Sequence, residues 1–278
     1  MINTVTVAGL GLIGASIAKA IGKYTNCDVY GWNRTKSVIE NAIKDKTIIN
    51  EASNEILGQT DLLIVCLYPK ATIDYIINTI PKLKKGAIII DICGVKTSLI
   101  NEIDDIAKEA GVVFIGGHPM AGLAVAGYEN SFAELYQDAS MILVPTKTSN
   151  DSYISKMSEF FSSIGFTTII VCTKEEHDSM IAYTSQLAHI ISCAFVKSPK
   201  CKNHKGFSGG SYKDMTRVAT LNEHVWTELF SLNRDAILEE IDVFSKNLND
   251  LREAIACENE VHLKSLLSDG RIQKEKYR

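Results

Sequence analysis

The chain has 278 residues, of which 46% are hydrophobic and 22% are charged, a balance typical of globular proteins with a sizeable core. At this length we expect two domains. The formal net charge of -4 leaves no basic excess for a nucleic-acid backbone, so we expect no nucleic-acid partner.

Membrane insertion and secretion are also not expected. No apolar run approaches the roughly 18 residues that span a bilayer. The opening residues lack the charged region and the cleavage site of a signal peptide. The seven cysteines are an odd number scattered through apolar stretches, which fits reduced thiols better than a disulfide framework. The sequence therefore predicts a cytoplasmic protein without a membrane partner.

The first 173 residues alternate between two patterns of hydrophobicity. Short β-branched runs predict buried strands at 5–8, 29–32, 62–67, 87–92, 112–115, 141–144 and 167–171. Helical spacing lies between most of them, at 13–23, 37–44, 71–83, 98–110 and 152–164. This alternation predicts a mainly parallel, doubly wound sheet with helices on both faces, that is, an α/β Rossmann domain over residues 1–173.

The second half of the chain lacks strand patterns. Beyond about His177, long helical patterns run over 179–196 and 222–267. Glycines and Pro199 interrupt them and predict a loop over 198–212. We therefore predict an all-α second domain over residues 174–278.

A glycine-rich turn follows the first predicted strand, with the sequence Gly9-Leu10-Gly11-Leu12-Ile13-Gly14. In a dinucleotide site the first glycine permits a tight turn, the second lets backbone approach the pyrophosphate, and the third allows close packing of helix on strand. The helix N-terminus then faces the phosphates. Incidental turn glycines are the alternative, and the strand-turn-helix context disfavours it. The motif predicts that residues 9–14 bind a nicotinamide dinucleotide.

The end of the second predicted strand bears on which dinucleotide is bound. An NAD enzyme usually keeps an acid about 20 residues beyond the last glycine, but this chain reads Asn33-Arg34-Thr35. Asn33 cannot repel a 2'-phosphate, and Arg34 can pair with one through charge-assisted hydrogen bonds. We therefore expect these three residues to bind the cofactor, with NADP favoured over NAD. The alternative is that Arg34 is a solvated loop residue and Asn33 serves a 2'-hydroxyl.

A histidine lies near the end of the fifth predicted strand, in Gly116-Gly117-His118-Pro119-Met120-Ala121-Gly122. Open α/β sheets bind ligands at the carboxyl ends of their strands. An imidazole at that position can accept the proton of a hydroxyl that is being oxidised. His118 is therefore the candidate catalytic residue, and a histidine that merely caps a turn is the alternative.

Four motifs in this order resemble the prephenate/arogenate dehydrogenase family of tyrosine biosynthesis. They are the glycine turn at 9–14, Asp91-Ile92-Cys93-Gly94-Val95-Lys96, the His118 segment, and Ser208-Gly209-Gly210-Ser211-Tyr212-Lys213-Asp214-Met215-Thr216-Arg217. The resemblance extends to about residue 265 and implies a homodimer joined through the helical domain.

The resemblance also implies a reaction. The family oxidises a cyclohexadienol at its ring hydroxyl, passes hydride to a nicotinamide, and releases the ring carboxylate as carbon dioxide. His118 matches the histidine that binds this hydroxyl and takes its proton. Arg217 matches a substrate-binding arginine, and His189 matches a histidine of the substrate pocket. A guanidinium can hold a carboxylate of the dianionic substrate through two hydrogen bonds.

Three positions depart from the family pattern. Many members carry a serine at Gly94, beside the substrate, and its hydroxyl orients the catalytic imidazole. A polar residue and an acid often follow the His118 segment, whereas this chain has Leu123 and Ala124. Gln186 replaces a first pocket histidine. Because neither Leu123 nor Ala124 can pair with the ammonium of arogenate, we expect prephenate to be the preferred substrate. Arogenate or dual specificity is the alternative.

Other classes of function are weaker alternatives. A nucleotide-sensing regulator would keep the glycine turn but would need neither His118 nor Arg217. A β-hydroxyacid dehydrogenase or imine reductase typically uses a catalytic lysine on the helical domain, and no clear match to it is present. Cys201 and His204 have the spacing of metal ligands but lack a second pair, so we expect no metal site.

Overall fold

A seven-stranded sheet forms the centre of the first half of the chain. We analysed a computed structural model, which describes residues 2–123 and 125–277. Within them the strands are β1 (Thr4–Ala8), β2 (Asp28–Trp32), β3 (Leu62–Val65), β4 (Ile88–Asp91), β5 (Val113–Pro119), β6 (Ser140–Val144) and β7 (Thr168–Val171). Their order in the sheet is β2-β1-β3-β4-β5-β6-β7. Every neighbouring pair is parallel except β5 and β6, which are antiparallel. The predicted, mainly parallel Rossmann sheet is confirmed.

The helices of the first half flank this sheet, and the later part of the chain is helical. They are α1 (Leu12–Tyr24), α2 (Lys36–Lys44), α3 (Asn54–Leu57), α4 (Pro69–Thr79), α5 (Thr97–Ala110), α6 (Asp151–Ser163), α7 (Lys174–Ile181), α8 (Leu187–Phe195), α9 (Gly210–Thr216), α10 (Glu223–Leu232), α11 (Arg234–Ala256) and α12 (Glu260–Lys276). Short polar side chains begin several of them. Asn150 accepts the N–H of Tyr153 at the start of α6, and Asn259 accepts that of His262 at the start of α12.

The central strands β3 and β4 bury both of their faces, which is the reason why they read as continuous apolar runs. Successive residues of β3 alternate between two clusters of buried side chains. Leu62 and Ile64 pack in the cluster that includes residues of α1, α2 and α6. Leu63 and Val65 pack in the cluster that includes residues of α4 and α5. The alternation places helices on both faces of the sheet.

The chain divides into two compact units. The first contains the residues up to Ile181 together with Thr220–Leu232, and the second contains Ala182–Ala219 together with the residues from Asn233 onward. The division of the sequence after residue 173 stays a prediction. The predicted loop over 198–212 is interrupted by a short 3₁₀ turn at Pro199–Asn203, and its last residues begin α9 at Gly210. Across the described residues, no helix is both long and apolar enough to cross a membrane.

Helix α1 approaches the turn after strand β1 so closely that Gly14, the third glycine of the motif, has no room for a side chain. A Cβ added at Gly14 would overlap the carbonyl oxygen of Gly9. Gly9 itself has a φ of 92°, which L side chains rarely adopt, and a Cβ there would overlap the carbonyl oxygen of Cys66. Since these neighbours are backbone atoms, no side-chain rotation relieves either overlap. The close approach depends on glycine at both positions.

Two glycines of α1 test this constraint as a matched pair. Gly14→Ala should lower the free energy of unfolding by about 3 kcal/mol, because the added methyl displaces the backbone of the turn. Gly22→Ala lies in the same helix with no heavy atom within 4 Å of the added methyl. It should raise the free energy of unfolding by about 0.5–1 kcal/mol, because alanine loses less entropy in a helix. Urea unfolding followed by circular dichroism checks both, and equal effects would contradict the account.

Candidate active site

The glycine turn provides a cradle that fits the pyrophosphate of a dinucleotide. Gly11 caps the N-terminus of α1 without a side-chain hydrogen bond, and the first turn holds no acidic residue. A Cβ added at Gly11 would meet no heavy atom within 4 Å. The first N–H groups of α1 and their partial positive charge are therefore suited to a bound phosphate.

The end of β2 lies next to this turn. The Leu10 N–H donates to Asn33 Oδ1 over 3.1 Å, and Asn33 Nδ2 donates to the Thr35 carbonyl over 3.3 Å. Arg34 is exposed, and no described residue pairs with its guanidinium. The neighbouring Lys36, in contrast, pairs with Glu51 over 2.6 Å. Asn33 thus ties β2 to the glycine turn, while the charge of Arg34 is available to a ligand.

His118 lies beyond the point where the parallel part of the sheet ends. Strand β4 pairs with β5 as far as Gly116, opposite Asp91. Strand β5 continues for three more residues because antiparallel β6 pairs with it, and His118 lies opposite Ile142. The antiparallel strand therefore extends the backbone that carries the imidazole past the carboxyl edge of β4.

A buried ion pair joins the last residue of β4 to the segment that follows this strand and passes beside His118. Lys96 and Asp91 form this pair, and neither side chain is exposed. Asp91 Oδ2 also accepts the Cys93 N–H over 2.9 Å. Glycine is required at position 116, because a Cβ there would lie 2.8 Å from Cδ of Lys96. The glycine that precedes the His118 motif thus makes room for the lysine.

Gly94 lies next to the imidazole, as the resemblance predicts for this motif position. A Cβ at Gly94 would lie 3.5 Å from Leu229 and 3.9 Å from Cε1 of His118. The contacts that hold the ring come instead from two residues that the sequence analysis did not identify. His118 Nδ1 lies 2.9 Å from His177 Nε2, and His177 Nδ1 lies 2.8 Å from Asp178 Oδ1.

Burial controls the charge of both histidines. It lowers the pKa of His118 well below its usual value, and electrostatic interaction with His177 and with the ammonium of Lys96 lowers it further, while Asp178 raises it. Burial is also the largest cause that lowers the pKa of His177, although the hydrogen bond to Asp178 opposes it. Both imidazoles are therefore neutral near pH 7.

The second unit holds the remaining predicted substrate residues. Arg217 begins a short 3₁₀ turn directly after α9. His189 Nδ1 donates to the Val218 carbonyl over 2.8 Å. Burial lowers the pKa of His189, the hydrogen bond to Val218 opposes this, and the charge of Arg217 lowers the pKa further. His189 and Arg217 are therefore neighbours, and their predicted roles toward the substrate stay predictions.

Gln186 is the residue that, by the resemblance, replaces a first pocket histidine of the family. It ends a π-helical turn over Ala182–Gln186, a feature often found at functional sites. Its Oε1 accepts a hydrogen bond from Asn233 over 2.6 Å, whereas its buried Nε2 has no described partner.

Within residues 2–123 and 125–277, no group of three His, Cys, Asp or Glu could hold a metal ion.

Comparison with known proteins identifies the family. The model of the prephenate dehydrogenase nucleotide-binding domain matches residues 17–170, and that of the prephenate dehydrogenase dimerization domain matches residues 173–269. The chain belongs to the prephenate dehydrogenase family. It is an NAD(P)-dependent oxidoreductase, so the regulator hypothesis is set aside.

Similar proteins act on related substrates. A cyclohexadienyl dehydrogenase of Zymomonas mobilis is 29% identical over 264 residues, which cover 92% of this chain and 89% of that protein. The structure of Synechocystis arogenate dehydrogenase has a TM-score of 0.84 at 25% identity and covers 99% of this chain and 100% of that one. Prephenate dehydrogenase of Aquifex aeolicus, solved with hydroxyphenyl propionate and NAD+, has a TM-score of 0.89 at 24% identity and covers 100% of this chain and 99% of that one.

Proposed function

We propose that this chain is a prephenate dehydrogenase of tyrosine biosynthesis, which converts prephenate to 4-hydroxyphenylpyruvate by oxidative decarboxylation with NADP as the preferred cofactor. The observation that carries the proposal is the buried, neutral imidazole of His118 at the end of β5. The glycine turn after β1 lies at the same carboxyl edge of the parallel strands, where this fold class binds its ligands.

The proton of the ring hydroxyl passes to His118 as the alcohol is oxidised. A bound nicotinamide supplies the hydride acceptor. A neutral imidazole is suited to this proton transfer because it holds an unprotonated nitrogen. Cleavage of the bond to the ring carboxylate then releases carbon dioxide, and its electron pair completes the aromatic ring. The resulting phenolate oxygen takes the proton back from His118, so the residue ends in its starting state.

Arg217 and His189 bind the substrate in this proposal. Prephenate carries two carboxylates, and a guanidinium can hold one of them through two parallel hydrogen bonds. Burial and, to a smaller extent, the charge of Arg217 lower the pKa of His189, which favours its neutral form. Because His189 Nδ1 donates to the Val218 carbonyl, a neutral His189 carries its hydrogen on Nδ1 and none on Nε2.

We also propose a cytoplasmic homodimer joined through the helical unit. The dimerization-domain match over residues 173–269 supports this assembly. Helices α11 and α12 expose several large apolar side chains, and association of two copies would remove such surface from water. They are Leu238, Val243, Leu248, Ile255, Val261, Leu267 and Ile272.

The role of His118 predicts both a loss of activity and a pH dependence. His118→Asn should lower kcat about 10²- to 10⁴-fold, because the asparagine amide cannot accept the proton. In the unsubstituted enzyme, kcat/KM should fall only below the ordinary histidine pKa of 6.5, because burial, His177 and Lys96 lower the pKa of His118 while Asp178 only partly opposes them. The exposed His224, substituted as His224→Asn, is the control. Retained turnover with intact cofactor binding would contradict the role of His118.

Substrate preference is tested by turnover of prephenate and of arogenate at saturating NADP+. We expect prephenate to give the higher kcat/KM by about tenfold or more, because the sequence has Leu123 and Ala124 where many family members carry a polar residue and an acid. Ala124 lies outside the described residues, so its variant rests on sequence position alone. Ala124→Glu should raise the kcat/KM for arogenate relative to prephenate, and Ala126→Glu is the matched control. A higher kcat/KM for arogenate in the unsubstituted enzyme would overturn the preference.

Cofactor preference is tested through Arg34. Arg34→Gln should reduce kcat/KM for NADP about 10- to 100-fold relative to NAD, since a charge-assisted hydrogen bond contributes about 1.5–3 kcal/mol. Lys36→Gln is the matched control, because this lysine is already paired with Glu51 and should affect the ratio less. A large preference of the unsubstituted enzyme for NAD would contradict the role of Arg34.

A further inference from the structure

We infer that His177 and Asp178 form a positioning dyad that fixes the tautomer of His118 and leaves its Nε2 as the proton acceptor. The inference rests on the proposed function in one respect, namely that His118 takes the proton of the substrate. It concerns how this chain controls an imidazole that lacks a hydroxyl partner at Gly94.

The chain of hydrogen bonds starts at a carboxylate that can only accept. Asp178 Oδ1 receives the Lys96 N–H over 2.8 Å, and Oδ2 receives the Thr97 N–H over 2.8 Å. Burial raises the pKa of Asp178, but hydrogen bonds from His177, Thr97 and Lys96 outweigh it and hold the pKa below its usual value. Asp178 is therefore ionised and has no proton to donate.

The proton positions on both rings follow in sequence. Since Asp178 only accepts, His177 Nδ1 carries a hydrogen and donates it over 2.8 Å. A neutral imidazole carries one N–H, so His177 Nε2 is an acceptor. The hydrogen bond of 2.9 Å between the two rings then requires a hydrogen on His118 Nδ1. His118 Nε2 is left unprotonated, which is the state that a general base needs.

The geometry suits orientation as well as proton placement. Among the described residues, His177 is the one group hydrogen-bonded to the imidazole of His118. His177 is itself 2% exposed and held at its other nitrogen by Asp178. In other enzymes a carboxylate bonded directly to the histidine base sets its tautomer, and the wrong tautomer lowers kcat about 10⁴-fold. Here the carboxylate of Asp178 acts on His118 through His177.

Asp178 also holds the start of α5, so the test must separate positioning from folding. Substitution of His177 leaves the bonds from Asp178 to Lys96 and Thr97 in place. A glutamine at 177 can present its carbonyl oxygen to the Nδ1–H of His118. A leucine of similar volume offers no polar atom. The two variants therefore differ in the hydrogen bond and resemble each other in packing.

The first measurement is kinetic. His177→Leu should lower kcat for prephenate about 10³-fold or more, with a change in KM of only about threefold, because His118 loses its tautomer control. His177→Gln should retain at least about tenfold more kcat than the leucine variant. His224→Gln, at an exposed histidine with a side chain 90% accessible, should match the unsubstituted enzyme. Equal kcat values for the leucine and glutamine variants would overturn the inference.

The second measurement reads the tautomer directly and needs no turnover. Nitrogen NMR of the full chain labelled with ¹⁵N-histidine involves six residues, and the His118 and His177 signals are assigned by substitution. We expect a protonated Nδ1 and an unprotonated Nε2 on both rings. A protonated Nε2 on His118 would overturn the dyad even if prephenate is turned over. The expected tautomer in a chain without prephenate turnover would support the dyad and contradict the proposed function instead. If the leucine variant does not fold, the tautomer measured in the unsubstituted chain decides whether the inference holds.

Discussion

The carboxylate of Asp178 accepts hydrogen bonds from the N–H groups of Lys96 and Thr97 at the start of α5 and from the ring of His177. Its negative charge is favoured there because a helix N-terminus carries partial positive charge. One buried group therefore links α7 to the segment that follows β4, and this link brings His177 within 2.9 Å of His118 at the end of β5. The site consequently depends on a contact between helices α5 and α7, although its candidate catalytic residue lies on a strand.

The buried ammonium of Lys96 opposes the effect of the Asp178 carboxylate on the pKa values of the two histidines. The Asp91–Lys96 pair is fully buried, and breaking such a pair typically costs about 3–5 kcal/mol because the remaining charge stays unpaired. The ammonium of Lys96 lowers the pKa values of His118 and His177, whereas the carboxylate of Asp178 raises both. The opposed charges leave burial as the dominant influence. Two neutral rings therefore persist in a site that also contains ions.

The sequence predicted the features that follow from local pattern. Strands β3 and β4 are fully buried, apolar runs, so the hydrophobic pattern alone was sufficient to predict them. The start of α7 was missed, although Thr173 and Glu176 form a capping box in which each side chain accepts the N–H of the other. That signal places the helix start at Lys174 and would have located His177 near the sheet edge. The contact between His177 and His118 spans 59 residues and depends on packing that no local pattern contains.

Gly94 shows how a departure from a family motif can leave the chemistry intact. A Cβ at this position would make only ordinary contacts, 3.5 Å from Leu229 and 3.9 Å from His118, so a serine would fit without moving the backbone. The missing hydroxyl is therefore a chemical difference that steric crowding does not impose. A hydroxyl can both donate and accept, so on its own it would permit either tautomer of the ring it contacts. A histidine held by a carboxylate permits one, because the acceptor-only Asp178 fixes the hydrogen on His177 and, through it, the hydrogen on His118. Control of the proton in this chain thus follows from the carboxylate of Asp178, which is two hydrogen bonds away from the base.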